Sequence, residues 1–212
     1  MPIVVPGAVT VAQVATGAAH SCARIQEGGR VLCWGDGRAG QLGDGERQAR
    51  PWAVDTQIEQ AASVAAGTAH TCALLRGGRV WCWGRGTDGQ LGTGDLGDHE
   101  KPTPVAGITD AVQIAAGGAH TCAVRMSGEL RCWGANTSGQ LGAGLGAARG
   151  GTEPPVVASS RRFTNVSAGG AHTCAITDDN AVLCWGANTS GQLGDRAVLS
   201  RPRPRPLFLT CP

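Results

Sequence analysis

The stretch GTAHTCALLRGGRVWCWGRGTDGQLG, residues 67–92, decides the fold. Its first half reads as a strand through His70, Thr71, Cys72, Ala73 and Leu74. Gly77 and Gly78 mark a reversal, and Val80, Trp81, Cys82 and Trp83 form a second strand. Alternation along that strand sends Val80 and Cys82 to one face and Trp81 and Trp83 to the other, so both faces are apolar. A sheet apolar on both sides has to be covered on both sides, which calls for small sheets packed face to face around an axis.

Working outward, the same unit occurs four times, at residues 17–43, 67–92, 117–142 and 169–194. Its histidines fall at His20, His70, His120 and His172, a period of 50, 50 and 52 residues. Pro2 and Pro102 both precede their histidines by 18 residues, with Val5 and Val105 three residues later in each case. Self-similarity at this spacing is the signature of solenoids and propellers, and linear β-solenoid repeats are usually much shorter. The other hairpins turn at Gly28 and Gly29, at Ser127 and Gly128, and at Asp178 to Asn180, all turn-forming choices. Upstream of each histidine, Val14, Val64, Ile114 and Val166 mark a further strand, and the Pro-containing segment before it is expected to be the fourth. The expected architecture is all-β, with β-propeller blades of four antiparallel strands in four repeats, forming either a closed four-bladed ring or part of a seven-bladed propeller. The chain reads as one repeat domain, 1–212, with repeats near 2–51, 52–101, 102–153 and 154–204 and a tail at 205–212.

Composition agrees. Gly 34 and Pro 11 in 212 residues are high, yet 42% of the chain is hydrophobic, which suits many turns between short buried strands rather than disorder. There is no Tyr, and four of the six Trp, namely Trp34, Trp83, Trp133 and Trp185, belong to the repeat. Eighteen basic and sixteen acidic residues are interspersed, giving a net charge of +2 and no basic stripe of the kind nucleic-acid binders carry. Arg201, Arg203 and Arg205 alternate with prolines and read first as a solvated tail or strand edge, second as a contact for an anion or a peptide. No apolar run approaches the roughly 20 residues needed to span a bilayer. The opening MPIVVPGAVTVAQ lacks the charged region of a signal peptide, and the expectation is a soluble chain without membrane insertion.

Two stretches, Gly35 to Gly40 and Gly84 to Gly89, match the dinucleotide fingerprint GxGxxG. No amphipathic helix follows to hold a pyrophosphate, and the third position becomes Asn136 and Asn188 in the other copies, which points to a positive-φ turn instead. No cofactor is expected.

With GxxHTCA, a short hairpin, CWG and GxNTSGQLG all in place, the chain resembles the regulator of chromosome condensation repeat family, in versions reminiscent of bacterial proteins. That resemblance covers nearly the whole chain. It implies a propeller of four-stranded blades, commonly seven, that works through protein contacts. Four copies depart from that number and leave three arrangements: a closed ring, an incomplete propeller from a longer parent, or half of an assembly completed by a second chain. Some family members exchange guanine nucleotide on a small GTPase, and others inhibit secreted β-lactamases through an aromatic-rich face. Neither activity transfers here residue by residue.

Eight of nine cysteines pair within repeats: Cys22 with Cys33, Cys72 with Cys82, Cys122 with Cys132, and Cys174 with Cys184. A separation of about ten residues places each couple opposite one another across a hairpin, within reach of a disulfide. Disulfides would place the chain outside the cell or in its envelope, with the cytoplasm as the alternative. Two other readings stay open, buried free thiols and a metal site built from His20, Cys22, Cys33 and their equivalents. Cys211 stands alone and reads as a ragged end.

A catalytic centre is normally single, whereas the four histidines recur beside the same Gly and Cys, so they are expected to bridge backbone groups within a blade. GxSxG, HExxH, P-loop and EF-hand spacings are all missing, the acid pairs Asp98/Glu100 and Asp178/Asp179 have no tuning partner, and an enzyme is not expected. Sequons stand at Asn136, Asn165 and Asn188. The expected function is a non-catalytic scaffold for a protein partner, with self-association if the propeller is incomplete. The contacts would come from the non-repeating segments after GQLG, at 44–50, 93–101 and 143–153, represented by Asp44, Arg47, Asp95, Asp98, His99 and Arg149, with Trp52 in the same connecting region. The alternatives are a nucleotide-exchange regulator of a small GTPase, a secreted or surface adhesion repeat, and a metal-dependent enzyme.

Overall fold

A computed structural model describes residues 10–145 and 154–207. Pro2, Val5, Arg149 and Cys211 lie outside the described residues. Within them the chain is all strand and turn, and no helix is long and apolar enough to cross a membrane.

Four antiparallel sheets follow one another in chain order. The first holds β1 (Val11–Thr16), β2 (His20–Ile25), β3 (Val31–Gly35) and β4 (Arg50–Asp55), and the second β5 (Ala61–Ala66), β6 (His70–Leu75), β7 (Val80–Gly84) and β8 (His99–Pro104). The third holds β9 (Ala111–Ala116), β10 (His120–Arg125) and β11 (Leu130–Gly134), with one bridge from Arg131 to Val156 where a fourth strand would lie. β12 (Phe163–Ala168), β13 (His172–Thr177), β14 (Val182–Gly186) and β15 (Arg201–Pro206) form the fourth. Each is a plain meander, because the hairpins turn on residues that accept positive φ, such as Gly78 (φ 80) and Asn180 (φ 61).

The fourth strand departs from the sequence expectation. The proline-bearing segment does not join the strands that follow it: Arg50 pairs with Gly35, and His99 with Gly84, so each such strand closes the sheet before it. The reason is reach, since the loop after CWG returns directly to the edge of its own hairpin. A repeat counted from Pro102 therefore straddles two sheets. On these outermost strands stand Pro51, Pro102, Pro104, Pro202, Pro204 and Pro206, as expected for edge positions that need not donate a ladder hydrogen bond.

The two-faced hairpin does what its alternation demands. Val80 and Cys82 pack with Ala123 and Trp133 of the third sheet, while Trp83, with Trp81 partly buried beside it, packs on Val31, Cys33 and Leu42 of the first. A matching cluster joins third and fourth sheets through Val124, Leu130, Leu141, Phe163, Val166 and Trp185. Burying one such Trp or Leu stabilises by about 1.5 to 3 kcal/mol. On the innermost strands, a glutamine side chain imitates a peptide group: Gln13 Nε2 donates to the Val64 carbonyl at 3.0 Å while its Oε1 accepts from the Val64 N–H at 3.0 Å. Gln113 repeats this against Val166.

Among the described residues no apolar cluster and no hydrogen bond joins the fourth sheet to the first. The sheets make an open arc of propeller blades, which corrects the closed-ring alternative: Val14, on the free face of the first sheet, is 63% exposed, while its equivalent Val64 inside the arc is 2% exposed.

Candidate functional site

Each joint between sheets carries the same polar relay. His20 Nε2 lies 2.9 Å from Thr71 Oγ1, His70 Nε2 3.0 Å from Thr121 Oγ1, and His120 Nε2 2.9 Å from Thr173 Oγ1. Those threonine hydroxyls donate to the carbonyls of Gln41, Gln90 and Gln140 at 2.9, 2.8 and 2.9 Å. The indole N–H groups of Trp83, Trp133 and Trp185 reach the same three carbonyls at 3.0, 3.0 and 2.9 Å. A hydroxyl has one hydrogen to give, and it goes to the glutamine carbonyl, so each histidine must carry its hydrogen on Nε2 and donate.

Burial makes this neutral form the stable one, pushing His20 down to about 4, His70 to about 3 and His120 to about 4. Their Nδ1 atoms are buried and have no hydrogen-bond partner among the described residues. The ring folds over the glycine three residues before it: a Cβ on Gly67 would collide with His70 Cε1 and with the Gly117 carbonyl of the next sheet. The histidines thus bridge neighbouring sheets through a side chain, where the sequence suggested backbone groups within one blade. None has the exposed, titrating geometry of a general base.

Three of the four cysteine pairs face into these joints. Cys22–Cys33, Cys72–Cys82, Cys122–Cys132 and Cys174–Cys184 are disulfides between directly opposed residues, with Cα atoms 4.0 to 4.1 Å apart. This answers the thiol and metal alternatives, since bonded sulfurs are no longer thiolate ligands, and among the described residues no group of three His, Cys, Asp or Glu is arranged around a common point.

The glycine-rich loop after CWG needed a different explanation from the positive φ expected of it. Gly37, Gly86, Asn136 and Asn188 all lack positive φ. At Gly37 and Gly86 the constraint is space, because a Cβ would run into the carbonyls of Gln48 and Gly97. Asn136 instead binds the loop with its amide, Nδ2 to the Gly144 carbonyl at 2.8 Å and Oδ1 from the Leu141 N–H at 3.2 Å, and Asn188 does the same with Ala197 and Leu193. These bonds leave both buried amides unavailable to a glycan, whereas Asn165 is exposed on β12.

Strand direction places the loops that follow β3, β7, β11 and β14 at the same end of the arc as the short turns at Gly17, Gly67, Gly117 and Gly169. Of the seven candidate contact residues, Arg47 and Asp98 come together from adjacent sheets at 3.4 Å, and Arg47 Nε also meets Glu100 Oε1 at 2.5 Å. The Arg47 guanidinium holds the Glu100 carboxyl below the usual carboxylate range. His99 Nε2 lies 3.1 Å from Asp95 Oδ1, and this hydrogen bond, aided by the Gly97 N–H, lowers the Asp95 carboxyl. Asp44 turns inward to Arg50 at 2.9 Å, as Asp195 does to Arg201 at 2.8 Å. Trp52 stands apart, 57% exposed on the outer strand β4. Arg203 and Arg205 are exposed on β15, a strand edge. A cleft of about 370 Å³ on this face is lined by Ala69, Arg85, Asp88, Gln90, Thr137 and Gln140, among others. The sequence reading missed the Thr71, Thr121, Thr173 and Gln41, Gln90, Gln140 sets, although the glutamine recurs in every copy; its working atom is a backbone carbonyl, which leaves no side-chain signature.

Sequence profiles of the Regulator of chromosome condensation (RCC1) repeat match residues 28–74, 77–124 and 127–176 in one version and 11–41, 61–90, 111–140 and 163–192 in another. The chain belongs to the RCC1 repeat family. The RCC1-repeat relative "Ultraviolet-B receptor UVR8" of Arabidopsis thaliana is 36% identical over 202 residues, 93% of this chain and 46% of its own length. Prp20p of Saccharomyces cerevisiae superposes with a TM-score of 0.85 at 22% identity, covering 97% of this chain and 52% of that one. Human WBSCR16 gives 0.82 at 22% identity, with 94% and 53% covered. At such identities the structural likeness establishes the RCC1-type propeller fold. The chain spans about half the length of these relatives.

Proposed function

We propose that the chain is a non-catalytic scaffold that holds a protein partner on the loop-bearing end of the arc. The observation carrying this reading is the division of labour between joints and loops. The repeated His, Thr, Trp and Cys are consumed in holding sheets together, while Arg47, Asp95, Asp98 and Glu100 present charged groups, partly or fully exposed, at one end, with His99 among them. A protein is the kind of ligand that suits a broad charged rim, and Prp20p has been described with its binding to Gsp1p and histones. Exposed Trp52 is a further contact candidate, on the outer edge. A disulfide in every sheet favours an oxidising location, extracellular or in the cell envelope, which speaks against exchange on a cytoplasmic GTPase.

The test is a photo-crosslinking amino acid placed at Arg47, and separately at Asp179 in the hairpin turn at the opposite end, in the native host. A defined protein adduct from Arg47 and none from Asp179 is the expected result. Adducts only from Asp179, or equal adducts from both, would reject the rim as the contact surface.

A further inference from the structure

The joint between two sheets has unlike halves. One sheet contributes a histidine N–H, a glutamine carbonyl and apolar residues such as Leu74 and Val80; the next contributes a hydroxyl, an indole N–H and residues such as Ala111 and Ile114. Three joints use up all but two of these half-faces. The first sheet keeps a free receiving face, with Val11 and Val14 exposed and Trp34 only half-buried, whereas Trp83, Trp133 and Trp185 are buried. The fourth sheet keeps a free offering face, with Ile176 38% exposed against 4% for Leu74, His172 half-buried and Gln192 exposed. Apolar surface at both ends, each edged by unused partners of one known hydrogen-bond set, marks an interaction surface.

We infer that two copies of this chain associate head to tail, the fourth sheet of one packing on the first sheet of the other as a further joint of the same kind. The donor set is complete for it. His172 Nε2 would donate to Ser21 of the second copy, where serine keeps the hydroxyl that threonine supplies elsewhere, and Ser21 and Trp34 would donate to the Gln192 carbonyl. A foreign protein would have to reproduce this set, whereas a second copy already carries it. Such a contact is heterologous, and it ends either in a two-chain ring or in longer chains, depending on whether the rotation closes. The inference stands independently of the rim reading.

Light scattering on the 212-residue protein tests it. The expected mass is twice 21.5 kDa, or a higher multiple if the ring does not close. Val14→Asp on one face and Ile176→Asp on the other alter side chains that are exposed in the single chain, so each variant should keep its melting behaviour and its four disulfides. Each alone should weaken association by on the order of a hundredfold, the penalty of burying an unpaired carboxylate. Mixing the two should restore association, since one intact face remains on each partner. A wild-type protein that stays monomeric at its highest soluble concentration overturns the inference. So does a mixture that fails to reassociate, which would indicate a like-to-like contact.

Discussion

The joints and the rim loops of this molecule obey different rules. At every joint a histidine, a hydroxyl, an indole and a glutamine carbonyl meet within 3.0 Å, in three nearly superimposable versions. The loops that follow agree only in part: Asp44 and Asp195 both turn to an arginine, but Arg47 crosses to Asp98 and Glu100 while Asp95 folds back on His99. The hydroxyl, indole and Nε2 hydrogens buried at a joint need acceptors, and this arrangement supplies one for each, so the joint sequence repeats. Charges at the water surface are worth little to stability, and the loops are free to differ.

Acid should break the joints most severely. The three buried imidazoles titrate at about 4, 3 and 4 when folded against 6.5 when free, so the unfolded chain takes up protons first as pH falls. Stability is then fully present above about pH 6.5 and declines toward pH 4, by on the order of 3 kcal/mol for each histidine. Urea titrations at pH 7 and pH 4.5 check this, and equal midpoints would mean that the rings are protonated in place. Next in size, Trp133→Ala should cost about 3 to 5 kcal/mol in denaturant melts, while Trp34→Ala, at the same register but lacking a neighbouring sheet, should cost less than half as much in the monomer.

Reduction sharpens the contrast further. Cys22–Cys33, Cys72–Cys82 and Cys122–Cys132 are sealed within joints, whereas Cys174 is only half-buried on a free face. In the monomer under native conditions Cys174–Cys184 should be reduced and alkylated first, as read by peptide mass mapping. Removing a sealed pair such as Cys122 and Cys132 by substitution with Ala should cost about 2 to 3 kcal/mol. The smallest effect belongs to the rim: Arg47→Ala should change stability by less than about 1 kcal/mol, and a larger loss would show that the loop supports the fold after all.

Most of the sheet was legible because its cues are local. Val80, Trp81, Cys82 and Trp83 announce two apolar faces within four residues, and Gly78 or Asn180 marks where the chain turns. The assignment of the proline strands went to the wrong sheet because pairing Arg50 with Gly35 depends on where a loop returns, which residue type does not encode. The histidine relay was half legible. Repetition argued for a structural role, but the partner Thr71 lies 51 residues from His20 and appears only when sheets stack. Likewise Arg47 and Glu100 are 53 residues apart, so each charge looks solitary in the sequence.

The prolines on the outer strands have a further consequence. With Pro102 and Pro104 on one rim edge and Pro202, Pro204 and Pro206 on another, the periphery offers few amide hydrogens to a strand arriving from outside. Lateral recruitment of extended polypeptide, the usual route from exposed β-structure to fibrils, is blunted along β8 and β15. An array of this kind can lengthen around its axis while resisting aggregation sideways.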